Sequence, residues 1–433
     1  MDGKELLSRL KTLSQVKDPR KDIHGLTYAQ FPGTHCPLMG AAMAVRGIKG
    51  AVMMIVGTDE CAYYTKHMTI HSEDWGGLSG RCVSVAIDQH DITFGCAKKV
   101  ENAFAELMSE EKPEAVFIVT TCVPEIIGDD FDAVADEMTA QYGVPTMAVH
   151  TEHFKCENHM PGVERTITAC FRLMEKQQKN GSVNVLGQRM GRFEDTELSR
   201  ILKNAGVRMG AQLPSGCSVE DIRRAPAAQV NIVVNDIGMP LAKKMKQKFG
   251  TPYVFFDKFV DPAHIAAAYE NLFGFLSLPM PKELTALRQT AEKAVEEAKE
   301  QLQGVPFMYG NTPFRCLECC AFMASLGMVP QLIQSHGIHE EDADDVQRIL
   351  ASADPYMTLA ANISPLQYIY DELRPMLYLG HEYPMRLRKK GIAQVHTDMG
   401  GGMLGYEVTP YLMKQLLSSV GESKEIRKGG MPQ

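Results

Sequence analysis

The sequence predicts an α/β protein whose strands form parallel sheets. Short apolar runs alternate with helix-length amphipathic stretches along most of the 433 residues. Glycine and proline follow several of these stretches, as in Tyr142-Gly143-Val144-Pro145 and Phe249-Gly250-Thr251-Pro252, where we expect helices to turn into strands. Strands that alternate with helices pair in parallel, because each helix carries the chain back across the sheet.

The candidate elements follow one another in this alternation. The predicted strands are Ala51–Gly57, Ala115–Val119, Thr146–Val149, Val183–Leu186, Val230–Val234, Tyr253–Phe256, Met357–Ala360 and Met376–Leu379. The predicted helices include Ala97–Ser109, Asp129–Tyr142, Glu197–Ala205, Pro240–Phe249 and Asp342–Ala351. Because ligands of open parallel sheets bind beyond the carboxyl ends of the strands, we expect the chemistry of the protein at those ends.

The length of the chain and two features of its pattern predict three domains. A chain of 433 residues is too long for one ordinary hydrophobic core. The turn at Asn180-Gly181-Ser182 interrupts the pattern, and Pro281–Gly304 is typical of one long amphipathic helix joining two blocks. The predicted α/β domains therefore cover residues 1–180, 181–290 and 291–433.

Composition and charge exclude several classes of function. Hydrophobic residues make up 45% of the chain and charged residues 23%, as in globular proteins. The net charge of −8 argues against a nucleic-acid partner, since phosphate binding needs clustered lysine and arginine. No window approaches the ~18 consecutive apolar residues of a membrane span, and the N-terminus lacks the apolar core of a signal peptide. We therefore expect a cytoplasmic protein with no membrane partner.

Three cysteines lie where a parallel sheet is expected to present ligands. The 11 cysteines are an odd number with irregular spacing, which does not suit a secreted disulfide framework. Cys36 precedes a predicted helix, and Cys61 and Cys122 each follow a predicted strand. Helix dipoles stabilise thiolates at helix N-termini, so these three could converge on one iron–sulfur cluster. Their spacing matches no compact zinc or ferredoxin pattern, so buried and inert cysteines are the alternative.

Four motifs then connect the chain to a known family. They are Thr121-Cys122 followed by Ile127-Gly128-Asp129-Asp130 and Ala133-Val134; the segment Asp88–Val100; Val144-Pro145 before His150-Thr151 and Phe154; and Leu404-Gly405-Tyr406. With these motifs the chain resembles the nitrogenase component 1 family, which comprises nitrogenase α and β subunits, cofactor-assembly scaffolds and nitrogenase-like reductases. The resemblance covers essentially the whole chain and is strongest over residues 31–160.

The resemblance implies three Rossmann-like domains with parallel sheets around a central metal-site cleft. It places Cys36, Cys61 and Cys122 at the positions of the family's cluster ligands, which hold a [4Fe–4S] cluster or the larger P-cluster at a subunit interface. A fourth ligand would come from a partner subunit, or from His153 or Cys156. The implied partners are an iron-protein ATPase and a sister subunit or a second copy of the chain.

The chain departs from the catalytic nitrogenase α subunit, which in this family holds an iron–molybdenum-type cofactor through one cysteine and one histidine. The matching stretch Asn231–Gly238 contains no cysteine, so dinitrogen is the least favoured substrate. Gly391–His396 resembles the histidine-bearing segment, and three glycines at 400–402 permit close approach of a ligand. His396 is explained equally well as a strand-end residue. Arg315 falls near an arginine that borders the family's cofactor, so His396 and Arg315 are candidate cofactor-binding residues.

A second metal site is predicted at Cys316, Cys319 and Cys320. They lie in the first turns of a predicted helix, where residues three or four apart share a face and could bind one metal centre. Together with His396 they would hold a second metallocluster. The alternative is a helix of small buried residues packed on the sheet.

The leading functional interpretation is a subunit of a nitrogenase-like iron–sulfur oxidoreductase. Its cluster would accept electrons from the iron protein and pass them to a substrate or a second metallocofactor. The sequence contains no GxxxxGK[S/T] motif, so ATP hydrolysis would belong to the partner. The alternatives are a scaffold for metallocluster assembly, a β-type structural subunit, and a subunit of a protochlorophyllide or nickel-tetrapyrrole type reductase. The sequence predicts neither the substrate nor the catalytic residues.

Overall fold

The computed structural model of the protein describes residues 2–27, 35–71, 78–155, 158–335, 337–359 and 364–428, with the backbone alone for residues 68–71. Within these ranges the chain forms three sheets of mainly parallel strands, and helices pack on their faces. None of the described helices is long and apolar enough to cross a membrane. The predicted α/β class is confirmed.

Helices and strands alternate through most of the described chain. The strands are β1 (Lys11–Thr12), β2 (Ile48–Lys49), β3 (Ala51–Gly57), β4 (Cys82–Ala86), β5 (Ala115–Thr120), β6 (Thr146–His150), β7 (Ser182–Leu186), β8 (Arg208–Leu213), β9 (Cys217–Ser218), β10 (Val230–Val233), β11 (Tyr253–Phe255), β12 (Pro306–Tyr309), β13 (Val329–Gln334), β14 (Tyr356–Thr358), β15 (Leu377–Leu379) and β16 (Ala393–Val395). The helices are α1 (Gly3–Leu7), α2 (Pro19–Asp22), α3 (Pro37–Arg46), α4 (Asp59–His71), α5 (Gln89–Phe94), α6 (Ala97–Glu110), α7 (Cys122–Ile127), α8 (Phe131–Tyr142), α9 (Met160–Ala169), α10 (Glu197–Asn204), α11 (Val219–Arg224), α12 (Met239–Phe249), α13 (Pro262–Leu276), α14 (Glu283–Leu302), α15 (Cys316–Ser325), α16 (Ala343–Leu350), α17 (Tyr370–Leu373), α18 (Pro384–Arg388) and α19 (Val408–Lys428).

The first sheet has the strand order β4-β3-β5-β6, and all its strands are parallel. Every residue of β3 and β5 is buried, because helices cover both faces of the sheet. Val52 and Met54 pack with α6 and α8, whereas Met53 and Ile55 on the opposite face pack with α3 and α9. Burial on both faces explains why these strands are continuous apolar runs in the sequence.

The second sheet, in the order β11-β10-β7-β8, is also parallel throughout. One face packs against α10, α13 and α14. The other face contributes Leu186, Leu213 and Val233 to the same hydrophobic core that covers the first sheet. The short parallel pair of β2 with β9 adds a second connection. The first two sheets therefore share one core.

The third sheet has the order β1-β14-β13-β12-β15-β16, with all pairs parallel except that of β1 with β14. Helices α15 and α19 cover one face, and α1, α17 and α18 pack on the other. Strand β1 comes from the N-terminal segment, so the start of the chain pairs with the last sheet. The domain limits near residues 180 and 290 stay a prediction.

Helices α3 and α9 cross at two glycines. A Cβ atom added to Gly40 of α3 would overlap the carbonyl oxygen of His159, and one added to Gly162 of α9 would overlap that of Pro37. Because backbone meets backbone at both points, neither helix can accept a side chain there without moving. Cys36 caps the N-terminus of α3, so this crossing helps to fix its position.

We predict that Gly40→Ala and Gly162→Ala each destabilise the protein by about 1–3 kcal/mol or more, since overpacking at a rigid backbone contact forces the helices apart. The control is Gly421→Ala in α19, where a Cβ would meet no atom within 4 Å. This change should leave the stability unchanged or raise it by up to about 1 kcal/mol. Urea unfolding measures all three, and equal effects at the three sites would contradict the close crossing.

Candidate functional site

Cys36, Cys61 and Cys122 all lie at the N-termini of helices in the first sheet. Cys36 is the residue before α3, Cys61 lies in the first turn of α4, and Cys122 is the first residue of α7. Helices α4 and α7 follow the adjacent strands β3 and β5, so their N-termini open at the same edge of the sheet. The predicted placement of these thiols at helix starts is confirmed.

The three thiols lie near one another and are half-buried. Burial raises the pKa of the Cys122 thiol, and the neighbouring thiols of Cys61 and Cys36 raise it further. The Sγ atom of Cys122 is 3.7 Å from Nδ1 of His153, one of the two residues suggested as a fourth ligand. The other, Cys156, lies outside the described residues. In the described part of the chain, no three His, Cys, Asp or Glu side chains are grouped so that they could hold a metal ion.

The loop that carries His153 is tied to α7 by Glu125. Its carboxylate accepts hydrogen bonds from the hydroxyl of Thr120 (2.5 Å) and from the backbone N–H groups of Thr151 (2.5 Å) and Glu152 (2.7 Å). Glu152 has a φ of 42°, which is costly for a residue with a side chain. These bonds hold the strained loop against the start of α7, next to Cys122.

The turn after α7 follows the predicted pattern. Gly128 ends α7 with a φ of 89°, and the carboxylate of Asp130 caps α8 by accepting from the N–H of Ala133 at 2.9 Å. Asp129 accepts a hydrogen bond from the N–H of Cys96 at 2.6 Å, which joins this turn to the start of α6. The acidic pair therefore starts one helix and anchors another.

Exposed apolar side chains lie on the elements that carry the three thiols. We call Tyr63, Tyr64, Ile92, Phe94, Ile126 and Phe154 the apolar rim. Tyr63 is 71% exposed, Phe94 75% and Ile126 72%. Helix α5, which carries Phe94, packs against α7, and Tyr64 donates or accepts a 2.6 Å hydrogen bond with His35 next to Cys36. Large exposed apolar groups in one region are typical of a surface that another protein covers.

A cleft with a volume of about 600 Å³ opens where the three sheets meet. The chain segments of all three sheets line it, which agrees with the predicted central cleft. Its ionisable and thiol-bearing lining residues are Lys155, His159, Glu164, Arg189, Asp236, Cys316, His339, His381 and Asp398. The cleft is therefore polar and rich in groups that can hold or transfer protons.

The carboxylates of the cleft differ in their surroundings. Burial raises the pKa of Glu164, and the charge of Asp236 raises it further. Asp398 lies 3.0 Å from Nε2 of His381, and Asp236 lies 3.9 Å from Nε2 of His339. Glu164 is thus the carboxyl group of the cleft that is held toward its protonated form.

Arg315 is buried beside the cleft and binds three carboxylates. Its guanidinium lies 2.9 Å from Asp236, 3.4 Å from Asp257 and 2.6 Å from Asp342. Burial by itself lowers the pKa of Arg315, but the three carboxylates raise it above its usual value. The guanidinium also lies 4.7 Å from the ring centre of Phe255. These contacts join the second sheet to the third, and the cofactor-binding role stays a prediction.

Of the three cysteines in α15, Cys316 lines the cleft. Its Sγ atom is 3.7 Å from the carbonyl oxygen of Gln334, and its thiol lies within hydrogen-bonding range of Cys320, four residues along the helix. Cys319 and Cys320 are fully buried in the core of the third sheet, and burial raises the pKa of both thiols well above the usual range. Burial favours the packed-helix alternative for these two, and their role as ligands stays a prediction.

The structure does not place His396 with Cys316. His396 follows β16 and lines a separate recess of about 140 Å³ beside α18. The glycines that follow also serve packing, since a Cβ at Gly400 would overlap the ring of Phe314 and one at Gly401 would meet Met190. These contacts bring the third segment against the second at the border of the cleft.

Comparison with known proteins identifies the family. A family model described as nitrogenase component 1 type oxidoreductase matches residues 36–420. The chain belongs to the nitrogenase component 1 family. A solved structure titled "Nitrogenase Cp1 at pH 6.5" superposes with a TM-score of 0.78 at 16% identity, covering 96% of this chain and 98% of that one. At this identity the likeness shows the fold alone, and it confirms the predicted fold class.

Two relatives within the nitrogenase component 1 family differ in what their names describe. The nitrogenase iron-molybdenum cofactor biosynthesis protein NifE of Clostridium pasteurianum is 30% identical over 223 residues, which cover 51% of this chain and 49% of NifE. One of the subunits of the light-independent protochlorophyllide reductase of Zygnema circumcarinatum is 26% identical over 248 residues, covering 53% and 47%. The chain thus spans about half the length of these relatives.

Several residues of the site escape sequence reasoning. Glu125, Glu164 and Arg189 stand in no motif and at no distinctive spacing, and their surroundings come from distant segments. One available signal is topological: Arg189 and Asp236 both follow predicted strands of one sheet, at the ends where ligands bind.

We predict that Arg315→Met destabilises the protein by about 3–5 kcal/mol, because it leaves three carboxylates without their cation, two of them buried. The control is Arg172→Met, which removes an exposed ion pair with Asp136 and should cost less than about 1 kcal/mol. The free energy of unfolding in urea at neutral pH measures both. A similar small loss for the two variants would show that Arg315 does not hold the sheets together.

Proposed function

We propose that the chain is a subunit of a nitrogenase-like oxidoreductase that holds an iron–sulfur cluster through Cys36, Cys61 and Cys122. The observation that carries the proposal is the convergence of three half-buried thiols at helix N-termini on one edge of a parallel sheet. Thiolate is the usual ligand of iron–sulfur clusters, so the donor set fits the group. A cluster bound there, of the [4Fe–4S] or P-cluster type, would supply one-electron transfer.

The chain's own residues prepare this position in three ways. The crossing of α3 with α9 at Gly40 and Gly162 fixes the helix that Cys36 caps. Glu125 fixes the loop that brings His153 to 3.7 Å from Cys122. The positive ends of the helix dipoles favour the thiolate form of the cysteines, which ligation requires.

The apolar rim supports a second protein at this site. Its tyrosine, phenylalanine and isoleucine side chains are exposed beside three thiols that the chain does not itself enclose. Covering them with a second protein removes apolar surface from water and shields the thiols from oxidation. We propose that a sister subunit or a second copy binds here and completes the cluster site. An iron-protein ATPase would supply the electrons, since the sequence has no P-loop of its own.

The central cleft would hold the substrate or a second metallocofactor. Glu164 can donate a proton there because its burial favours the neutral acid. His381, paired with Asp398 at 3.0 Å, can hold a second proton. The missing cysteine in Asn231–Gly238 disfavours a nitrogenase α role in which this chain reduces dinitrogen.

We predict that the protein, purified without oxygen, contains iron and acid-labile sulfide, and that Cys36→Ala/Cys61→Ala/Cys122→Ala loses both. The control is Cys82→Ala, another half-buried cysteine in the first sheet that does not lie at a helix N-terminus. It should keep the metal content of the unaltered protein. Iron and sulfide assays per chain, with electron paramagnetic resonance, measure the effect.

Two outcomes would contradict the cluster proposal. Unaltered protein that holds no iron after assembly in its own cell would refute it outright. Equal iron in the triple variant and the Cys82→Ala control would place the metal elsewhere in the chain.

The similarity to NifE favours a second candidate, a scaffold on which a metallocluster is assembled. A scaffold would release its cluster to an acceptor protein and would show no ATP-dependent turnover with an iron protein. The similarity to the protochlorophyllide reductase favours a tetrapyrrole substrate, which would be visible by its absorption in the purified protein. The three readouts separate the three functions.

For a second metallocluster in the cleft, we propose Cys316 as the thiolate ligand, since it is the cysteine of α15 that lines the cleft. Cys316→Ser should then remove iron in excess of the first cluster. Cys319→Ala is the matched control, because Cys319 is buried three residues further along the same helix, and it should leave the metal content unchanged. If Cys316→Ser keeps all its iron, the cleft holds no cluster on this thiol.

A further inference from the structure

The second sheet presents charged residues to the cleft at its point of divergence. From β7 the chain runs to β8 on one side of the sheet, and then returns to β10 and β11 on the other side. The loops after β7 and β10 thus part at the carboxyl ends of neighbouring strands, where open parallel sheets bind their ligands. Arg189 follows β7, and Lys258 follows β11.

Arg189 is a guanidinium without a protein partner among the described residues. It lines the cleft, and its side chain stays accessible there although protein surrounds it. Burial lowers the pKa of Arg189, and the charge of Asp257 opposes this change. In the described ranges, no carboxylate lies within ion-pair distance of it and no acceptor takes a hydrogen bond from it. An enclosed cation in this state keeps all its donors for something that enters the cleft.

Lys258 adds a second positive charge behind Arg189. Its side chain is almost completely buried, with 4% of its surface exposed, and its ammonium group has no hydrogen-bond acceptor among the described residues. Burial lowers the pKa of Lys258, Asp257 raises it again, and the nearby charge of Arg189 lowers it. The two cations therefore lie close enough to repel each other, and a bound anion would relieve that repulsion.

The acidic groups around the cleft are each occupied. Asp236 binds Arg315 at 2.9 Å, and Asp398 binds His381 at 3.0 Å. Glu164 is held toward its neutral form by burial. Asp257 is buried against Arg315 at 3.4 Å and does not line the cleft. None of these carboxylates is placed to neutralise Arg189 from within the cleft.

We propose that Arg189 binds an oxyanion group, a carboxylate or a phosphate, of the molecule that occupies the cleft, with Lys258 reinforcing the positive charge. A guanidinium matches two oxygens of such a group through paired N–H donors, whereas an ammonium acts as a point charge. Asn235 and Asn311 line the same cleft and offer amide donors to remaining oxygens. The inference rests on the proposed function in taking this cleft as the substrate or cofactor site.

The test measures the binding of succinate and of inorganic phosphate by titration calorimetry at low ionic strength, on the protein as purified. The unaltered chain should bind at least one of them, more weakly as salt is added. Arg189→Gln should weaken that binding about tenfold or more, and Arg189→Lys by less. Arg192→Gln is the control, because Arg192 lies three residues away and its side chain is 77% exposed; it should bind as the unaltered chain does. The preferred anion identifies a carboxylate-bearing or a phosphate-bearing ligand.

Two results would overturn the proposal. One is the absence of heat from both anions with the unaltered protein, and the other is equal binding by Arg189→Gln and Arg192→Gln. Equal melting temperatures of the variants exclude a folding defect as the cause. Repeating the titration on iron-free Cys36→Ala/Cys61→Ala/Cys122→Ala separates the two proposals, since the anion site lies in the second sheet and should bind without the cluster.

Discussion

The contact of Arg315 with three carboxylates is the interaction on which the arrangement of the sheets depends. The guanidinium stands at the N-terminus of α15 on the third sheet, and Asp236 and Asp257 stand at strand ends of the second. Removing such charges from water is costly, so the network is stable only when every member is paired. Domains joined in this way cannot slide against each other without exposing buried charge, and the cleft between them keeps its shape.

Other buried carboxylates reinforce the same boundary by accepting backbone hydrogen bonds. Glu318 of α15 accepts from the N–H groups of Val260 (3.1 Å) and Asp261 (2.9 Å) in the second segment. Glu197 of α10 accepts from the N–H groups of Tyr406 (2.9 Å) and Glu407 (3.0 Å) in the third. Each carboxylate satisfies donors that would otherwise be buried without a partner, so the boundary is specific in register as well as stable. A rigid cleft beside a partly open thiol site suits a protein that receives electrons at one place and uses them at another.

The strands that sequence reasoning found and missed differ in how they are buried. Strands β3 and β5 are covered on both faces and are therefore continuous apolar runs, which identify themselves. Strands β8 and β13 are not. The first contains arginine, glycine and glutamine, and the second contains a proline and two glutamines. Their pairing with β7 and β12 supplies the stability that their own composition lacks, and composition alone does not reveal such pairing.

The sequence by itself determined the α/β class, the strand-to-helix positions of Cys36, Cys61 and Cys122, and the turn at Gly128, because these depend on neighbours within a few residues. Only the tertiary structure decided which groups face the cleft. Cys316 and Cys319 are three residues apart on one helix, yet one lines the cleft and the other lies in the core. Arg315 is committed to carboxylates and Arg189 is not, although the sequence around them gives no reason for the difference. The physical reason is that burial and charge pairing are set by side chains from distant segments, which come together only when the sheets pack.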